Sequence, residues 1–298
     1  MDEITLDGQA IKLGLSLPDQ FETELMTTFP MYPESRYLDD NDIKALLPDN
    51  YYKESREQLA PWMINQNPLG KCNASAVKGA LEQIRSNLGY PHVVLSDNDI
   101  YMQMCRGVDR GSALIAAFQA AQKRGISPLH LKVGGRDYKI PLDAFSNLHV
   151  PLAARREAER QAARFRGWEW YRAPKDYDGF KRCLASELAR GNPVVFAWHV
   201  GSSSMRLRNG YVVTGRGVGN HASCFHSAKF VGGSDLVHPD MKNSWGPSVS
   251  ADYGRQGQGW GDGGYALVTM EQAFSCNRHH YTYVCVGARP DIEDKVLA

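Results

Sequence analysis

Hydrophobic periodicity changes character once along this chain, and the change limits the architectures open to it. Apolar positions recur at helical spacing over 72–88 (Ala76, Val77, Ala80, Leu81, Ile84), and Gly89 ends the run. Similar patterns predict helices over 112–124, 152–166 and 178–190. From residue 192 the spacing is that of strands, at 192–200, 211–214, 221–230, 265–270 and 280–287, separated by Gly-rich turns. Helices first and strands second imply an α+β chain of two lobes rather than alternating βα units. Ahead of both, 4–15 alternates about Asp7-Gly8 and predicts a β-hairpin. The stretch that follows, with Pro18, Pro30, Pro33 and Pro48, reads as an irregular arm. The expected organisation is an acidic extension with a small hairpin (1–60), a mainly helical lobe (61–150) and a mainly β lobe (151–298).

With 298 residues, 43% of them hydrophobic, the chain can close a full core unaided. A formal net charge of +1 argues against a dedicated nucleic-acid binder. No run approaches the roughly 18 apolar residues of a membrane span. Residues 1–25 are acidic and lack an apolar segment, so no secretory signal is expected. The expected location is the cytoplasm, or a particle such as a virion assembled there. Charge is uneven: residues 1–50 hold eleven acidic side chains against Lys12, Arg36 and Lys44, a balance of −8, which leaves +9 for the rest. Such an arm can lie against the basic body or dock on a partner. The arginines 155, 156, 160, 164 and 166 alternate with Glu157 and Glu159 and read as a solvated helix face.

Six cysteines (Cys72, Cys105, Cys183, Cys224, Cys276, Cys285) without a signal read as thiols, not a disulfide framework. Cys224 with His226, and Cys276 with His279 and His280, fall short of the four ligands of a structural zinc. Gly215-x-Gly217-x-Gly219 has the form of a nucleotide loop but leads into a strand, not a helix.

Three segments carry chemistry. In the first, a loop with Gln66 leads to Cys72 at the start of an amphipathic helix. The positive end of a helix favours thiolate over thiol, and the thiolate is the nucleophile. In the second, Gly217-Val218-Gly219-Asn220-His221-Ala222 delivers an imidazole, the side chain best matched to take a proton near neutrality. In the third, Lys242-Asn243-Ser244-Trp245-Gly246 offers a neutral amide to orient that imidazole, and an indole to keep water from the bond. His226, five residues further along the same strand, is the rival base.

In this order the segments resemble those of the papain-like cysteine peptidases, the family that includes the cathepsins. Gln66 stands six residues before Cys72, as the family's Gln precedes its nucleophile. Asn220-His221-Ala222 and 242–246 match its Asn-His-Ala and Lys-Asn-Ser-Trp-Gly. Trp260-Gly261-Asp262-Gly263-Gly264-Tyr265 matches its Trp-Gly-x-x-Gly-Tyr, and Leu95-Ser96-Asp97-Asn98-Asp99-Ile100 its Leu-Ser-x-x-x-Ile. The resemblance spans 60–288. It implies a two-lobe fold with a helical left lobe, an antiparallel β-barrel-like right lobe and the active-site cleft between them.

The resemblance also implies roles. Cys72 is the nucleophile, His221 the base and then the acid, and Asn243 the residue that orients His221. The oxyanion hole is formed by the Gln66 amide and the Cys72 N–H. Gly111, Asn220, Trp245 and Trp260 are the implied substrate-binding residues: Gly111 pairs with an extended substrate, Trp245 shields the His221–Asn243 bond, and Trp260 lines the leaving-group side. No metal or organic cofactor is implied, and the partner is a polypeptide substrate, not nucleic acid or membrane.

The departures matter too. The family's paired cysteines are replaced by Leu69 and Val108, which fits a reducing compartment. Arg110 replaces a glycine beside Gly111, Asn73 replaces the usual Trp, and about eleven extra residues lie within 247–259. Residues 1–60 do not resemble the long helical propeptide of secreted members. The leading expectation is a cysteine endopeptidase. The alternatives are a catalytically silent binding module, or a hydrolase of cell-wall peptides or isopeptides.

Overall fold

A computed structural model describes residues 2–6, 9–13, 29–59, 66, 69–91, 93–105, 108–139, 152–162, 169–200, 206–213, 219–245 and 261–286. The chain opens with a hairpin of β1 (Asp2–Leu6) and β2 (Gln9–Leu13), paired antiparallel about Asp7-Gly8. The helical lobe is built on α3 (Cys72–Asn87), with α4 (Asp97–Cys105) and α5 (Leu114–Lys123) against it. The five apolar positions read from the sequence are all buried, packed with Ile100, Tyr101, Ile115 and Phe118. Every residue from 72 to 85 is buried, so α3 has no solvent face and runs between the two lobes. Its far side meets the sheet, where Gly79 leaves room for Cys224 and Lys242.

The β lobe is an eight-stranded sheet in the order β5-β12-β6-β9-β10-β11-β8-β7. Its strands are β5 (Glu169–Arg172), β6 (Val194–Val200), β7 (Arg206–Arg208), β8 (Tyr211–Val213), β9 (Gly219–Gly232), β10 (Leu236–Lys242), β11 (Tyr265–Leu267) and β12 (Asn277–Val286). All pairings are antiparallel except β11 with β8. Among the described residues the sheet does not close, so the barrel-like expectation gives way to an open sheet with β5 and β7 at its edges. A second hairpin, β3 (His130–Val133) with β4 (Arg136–Lys139), packs near α6 (Leu152–Arg160). On α6, Arg160 pairs with Glu157 and Glu159 with Arg124, all exposed side chains or nearly so, as a solvated face requires.

The main correction concerns 29–59. Far from being an irregular arm, this segment extends the sheet and forms two helices. Tyr32 N–H donates to the Arg172 carbonyl (3.0 Å) and Arg172 N–H to that of Pro30 (2.9 Å), which covers the β5 edge. Helix α1 (Asp40–Leu46) is capped by Asp39, whose carboxylate accepts from the Asp42 N–H. Ile43 and Leu47 enter the core beside Leu184 and Leu188 of α7 (Tyr177–Ala189). Helix α2 (Tyr51–Leu59) follows Pro48, whose carbonyl accepts from the Tyr51 N–H. Pro33 and Pro48 stand just ahead of helical turns, where a missing N–H costs nothing.

A second correction lies at 265–270. The strand stops at Leu267, and α8 (Met270–Cys276) begins behind a capping box of Thr269 and Gln272. Cys72, Cys105, Cys183, Cys224 and Cys276 are all buried and outside any disulfide. No helix among the described residues is long and apolar enough to cross a membrane.

Candidate active site

Cys72 is the first residue of α3, and Lys71 at the cap position supplies no side-chain acceptor to the helix end. The loop before it doubles back. Leu69 N–H donates to the Gln66 carbonyl (3.0 Å), and Gln66 N–H donates to the Ser244 carbonyl (2.7 Å). The Ser244 hydroxyl also donates to Gln66 Oε1 (2.5 Å), so Gln66 is fixed against the residue after Asn243.

His221 lies near the start of β9, opposite Trp198 of β6. Its Nε2 is 2.8 Å from Asn243 Oδ1. That same oxygen accepts the Ser244 backbone N–H at 2.8 Å. A backbone N–H can only donate, so this atom is the carbonyl oxygen and the imidazole must give it the Nε2 proton. The lone pair of the neutral ring is therefore on Nδ1, which has no hydrogen-bond partner among the described residues. Trp245 stands 4.6 Å from the His221 ring, over the side of this bond. Cys72 and Ala222, the residue after His221, share one buried cluster. Both Cys72 and His221 are 0% exposed. Burial pulls the imidazole down to about 4, against the smaller opposing effect of Asn243.

The other expected site residues divide. Asn220 is buried beside His221, its Oδ1 without a partner. Trp260 lies outside the described residues. Gly111, at φ +71°, turns its N–H inward to the Tyr101 hydroxyl (3.1 Å). The N–H half of the pairing expected with an extended substrate is thus already taken. The rival, His226, has both nitrogens engaged: Nδ1 with Ser55 Oγ (2.9 Å) and Nε2 with Asp240 (2.9 Å). Arg56 grips the same carboxylate twice at 2.7 Å and reaches Asp262 at 2.9 Å. Gly261 makes room for that last loop, since a Cβ there would lie 2.2 Å from the Tyr265 carbonyl oxygen.

Several side chains around the site make buried polar contacts that sequence spacing does not reveal. Lys71 is buried, its ammonium held by Asp97 (2.9 Å) and Asn98 (2.7 Å) at the start of α4. The Ser75 hydroxyl donates to the other Asp97 oxygen. Asn73, where the resemblance leads one to expect Trp, spans from α3 to the next segment, its amide donating to the Ser112 (2.9 Å) and Ala113 (3.1 Å) carbonyls. Lys242 is buried 3.5 Å from Glu82 of α3, and burial draws its ammonium down to about 8. A cation next to the nucleophile is invisible to periodicity because Lys usually marks a surface. Among the described residues no three His, Cys, Asp or Glu side chains are grouped to hold a metal.

No protein-family model matches the sequence, and no curated protein does. The fold is nevertheless similar to solved structures over nearly its whole length. Against xylellain, a cysteine protease from Xylella fastidiosa, the identity is 18% and the TM-score 0.52, covering 94% of this chain and 96% of that one. Against proCathepsin B S9 from Trypanosoma congolense the values are 15% and 0.53, covering 93% and 86%. Against the SERA5 proenzyme from Plasmodium falciparum they are 19% and 0.52, covering 92% and 70%. The fold of this chain is the α+β, papain-like fold of cysteine proteases.

Proposed function

We propose that the chain is a cysteine endopeptidase in which Cys72, His221, Asn243 and Gln66 carry the reaction. The observation behind this reading is the 2.8 Å bond from His221 to Asn243, which leaves the Nδ1 lone pair uncommitted in a fold where Cys72 opens α3. In the reaction the Cys72 proton passes to His221 Nδ1 and the sulfur attacks the carbonyl carbon of a peptide bond. The developing oxyanion is held by the Cys72 N–H and the Gln66 carboxamide. His221 returns the proton to the leaving amine, and water, activated by the same nitrogen, then hydrolyses the thioester.

Burial of His221 disfavours its protonated form, so the reaction requires substrate or solvent to reach the ring. Opening of the site is part of the proposal. The burial of Cys72 and His221 also favours a second reading, a catalytically silent binding module. One experiment separates them. A thiol-directed epoxide should label wild type and spare Cys72→Ala, and a diverse peptide pool should be cleaved only by wild type. No labelling at any pH, with no Cys72-dependent cleavage, would leave the silent module.

A further inference from the structure

We propose that Tyr101 and Asp109 form a relay that positions both sides of this cleft at once: the loop that presents Cys72 and the extended segment at Gly111. Its kinetic consequences rest on the peptidase reading, whereas its structural ones do not. Asp109 Oδ1 accepts two hydrogen bonds, from the Gly70 N–H (3.0 Å) and the Tyr101 hydroxyl (2.7 Å). The Tyr101 oxygen in turn accepts the Gly111 N–H (3.1 Å). One carboxylate oxygen therefore sets the backbone two residues before the nucleophile and, through one phenol, the backbone that would face a substrate.

The phenol is suited to this use. Tyr101 is fully buried on α4, and burial, with Asp109 beside it, raises its pKa well above the ordinary value. It stays protonated, donating to the carboxylate while accepting from Gly111. The helix that carries it is tied to the nucleophile helix by the buried Lys71–Asp97 pair and by Ser75. The Asn73 bonds to Ser112 and Ala113 hold the same segment one step further along. Since the Gly111 N–H is turned inward, Tyr101 also decides which backbone groups an extended peptide meets. Tyr101 and Asp109 are positioning residues, since neither is argued to touch the reacting atoms.

The test uses the full chain with Tyr101→Phe, Asp109→Asn and Asp109→Ala. Tyr101→Phe keeps the ring and removes only the oxygen. Amide hydrogen exchange at Gly111 should quicken about tenfold or more while Gly70 stays protected, because one buried donor has lost its acceptor. Asp109→Ala should release both amides, and Asp109→Asn, which keeps an acceptor oxygen, should restore protection at Gly70. In kinetics, Tyr101→Phe should raise KM for extended peptides about threefold to tenfold with kcat changed less than about twofold, whereas Asp109→Ala should lower kcat. Unchanged exchange at Gly111 in Tyr101→Phe would overturn the relay. So would kcat and KM worsening together in step with a lost Tm, the mark of a merely structural residue. A wild type that cleaves no peptide would sink the peptidase reading, and the exchange data would still decide the relay.

Discussion

Strand β9 carries two buried histidines, His221 near its start and His226 five residues on, and they differ in what surrounds the ring. Both rings give the Nε2 proton to a residue on or just past β10, His221 to Asn243 and His226 to Asp240. At the His226 end everything is satisfied: Ser55 engages Nδ1 and Arg56 neutralises the carboxylate. At the His221 end the acceptor is a neutral amide and Nδ1 is left over. A histidine becomes available to chemistry when its partner orients it without consuming it. Five residues of separation, which made the two rivals in the sequence, place them in opposite regimes.

That contrast can be broken in several ways. Deleting residues 1–59 removes Ser55, Arg56, Tyr32 and Ile43 together, exposing the core and leaving Asp240 without its Arg56 partner. No folded protein is expected by circular dichroism, whereas deleting 1–28 should leave a cooperative melt. Next, His221→Ala should lower kcat/KM by about a thousandfold or more on any peptide the wild type cleaves. Equal losses in His221→Ala and His226→Gln would erase the distinction between the two rings. Arg56→Met leaves a fully buried carboxylate without its cation and should cost about 3–5 kcal/mol in denaturant unfolding.

The pH dependence sharpens the same contrast. His221 is held near 4 in the folded chain against about 6.5 unfolded, so the unfolded state binds the extra proton. Its effect on stability is absent above about 6.5 and grows as a penalty while pH falls toward 4, reaching roughly 3 kcal/mol. His226 shifts in the same direction, first through burial, with Asp240 opposing it. Urea melts should therefore weaken through this window, and His221→Asn should flatten the slope. A slope unchanged by that substitution would mean the ring is already protonated or exposed. Smallest is His226→Gln, expected to cost about 1–2 kcal/mol while leaving Cys72 as reactive as in wild type.

Much of the fold was legible in advance because a buried helix and a buried strand each impose a period. The apolar set of α3 and the long runs of β6 and β9 show it directly. What escaped was polar. Prolines suggest irregularity in 29–59, yet Pro33 and Pro48 stand ahead of helical turns. The Thr269–Gln272 capping box is written in the sequence but stands beside an apolar pattern that favours a strand. For the site, motif order singled out Cys72, His221 and Asn243, while nothing in the pattern announced the bonds made by Lys71, Asn73, Tyr101 and Asp109. Their partners lie between 26 and 40 residues away for Lys71 and Asn73, and 8 to 39 away for Tyr101 and Asp109.

The sequence by itself determined the α+β class, the helix that begins at Cys72 and the order in which thiol, imidazole and carboxamide are met. Those properties are local, set by side-chain spacing within a turn or a strand. Only the tertiary structure decided which histidine keeps a lone pair, that the sheet does not close among the described residues, and that Gly111 turns its N–H to a phenol. Each of these depends on which hydrogen-bond partners a buried group finds across distant segments, and burial makes that choice costly to leave unmade.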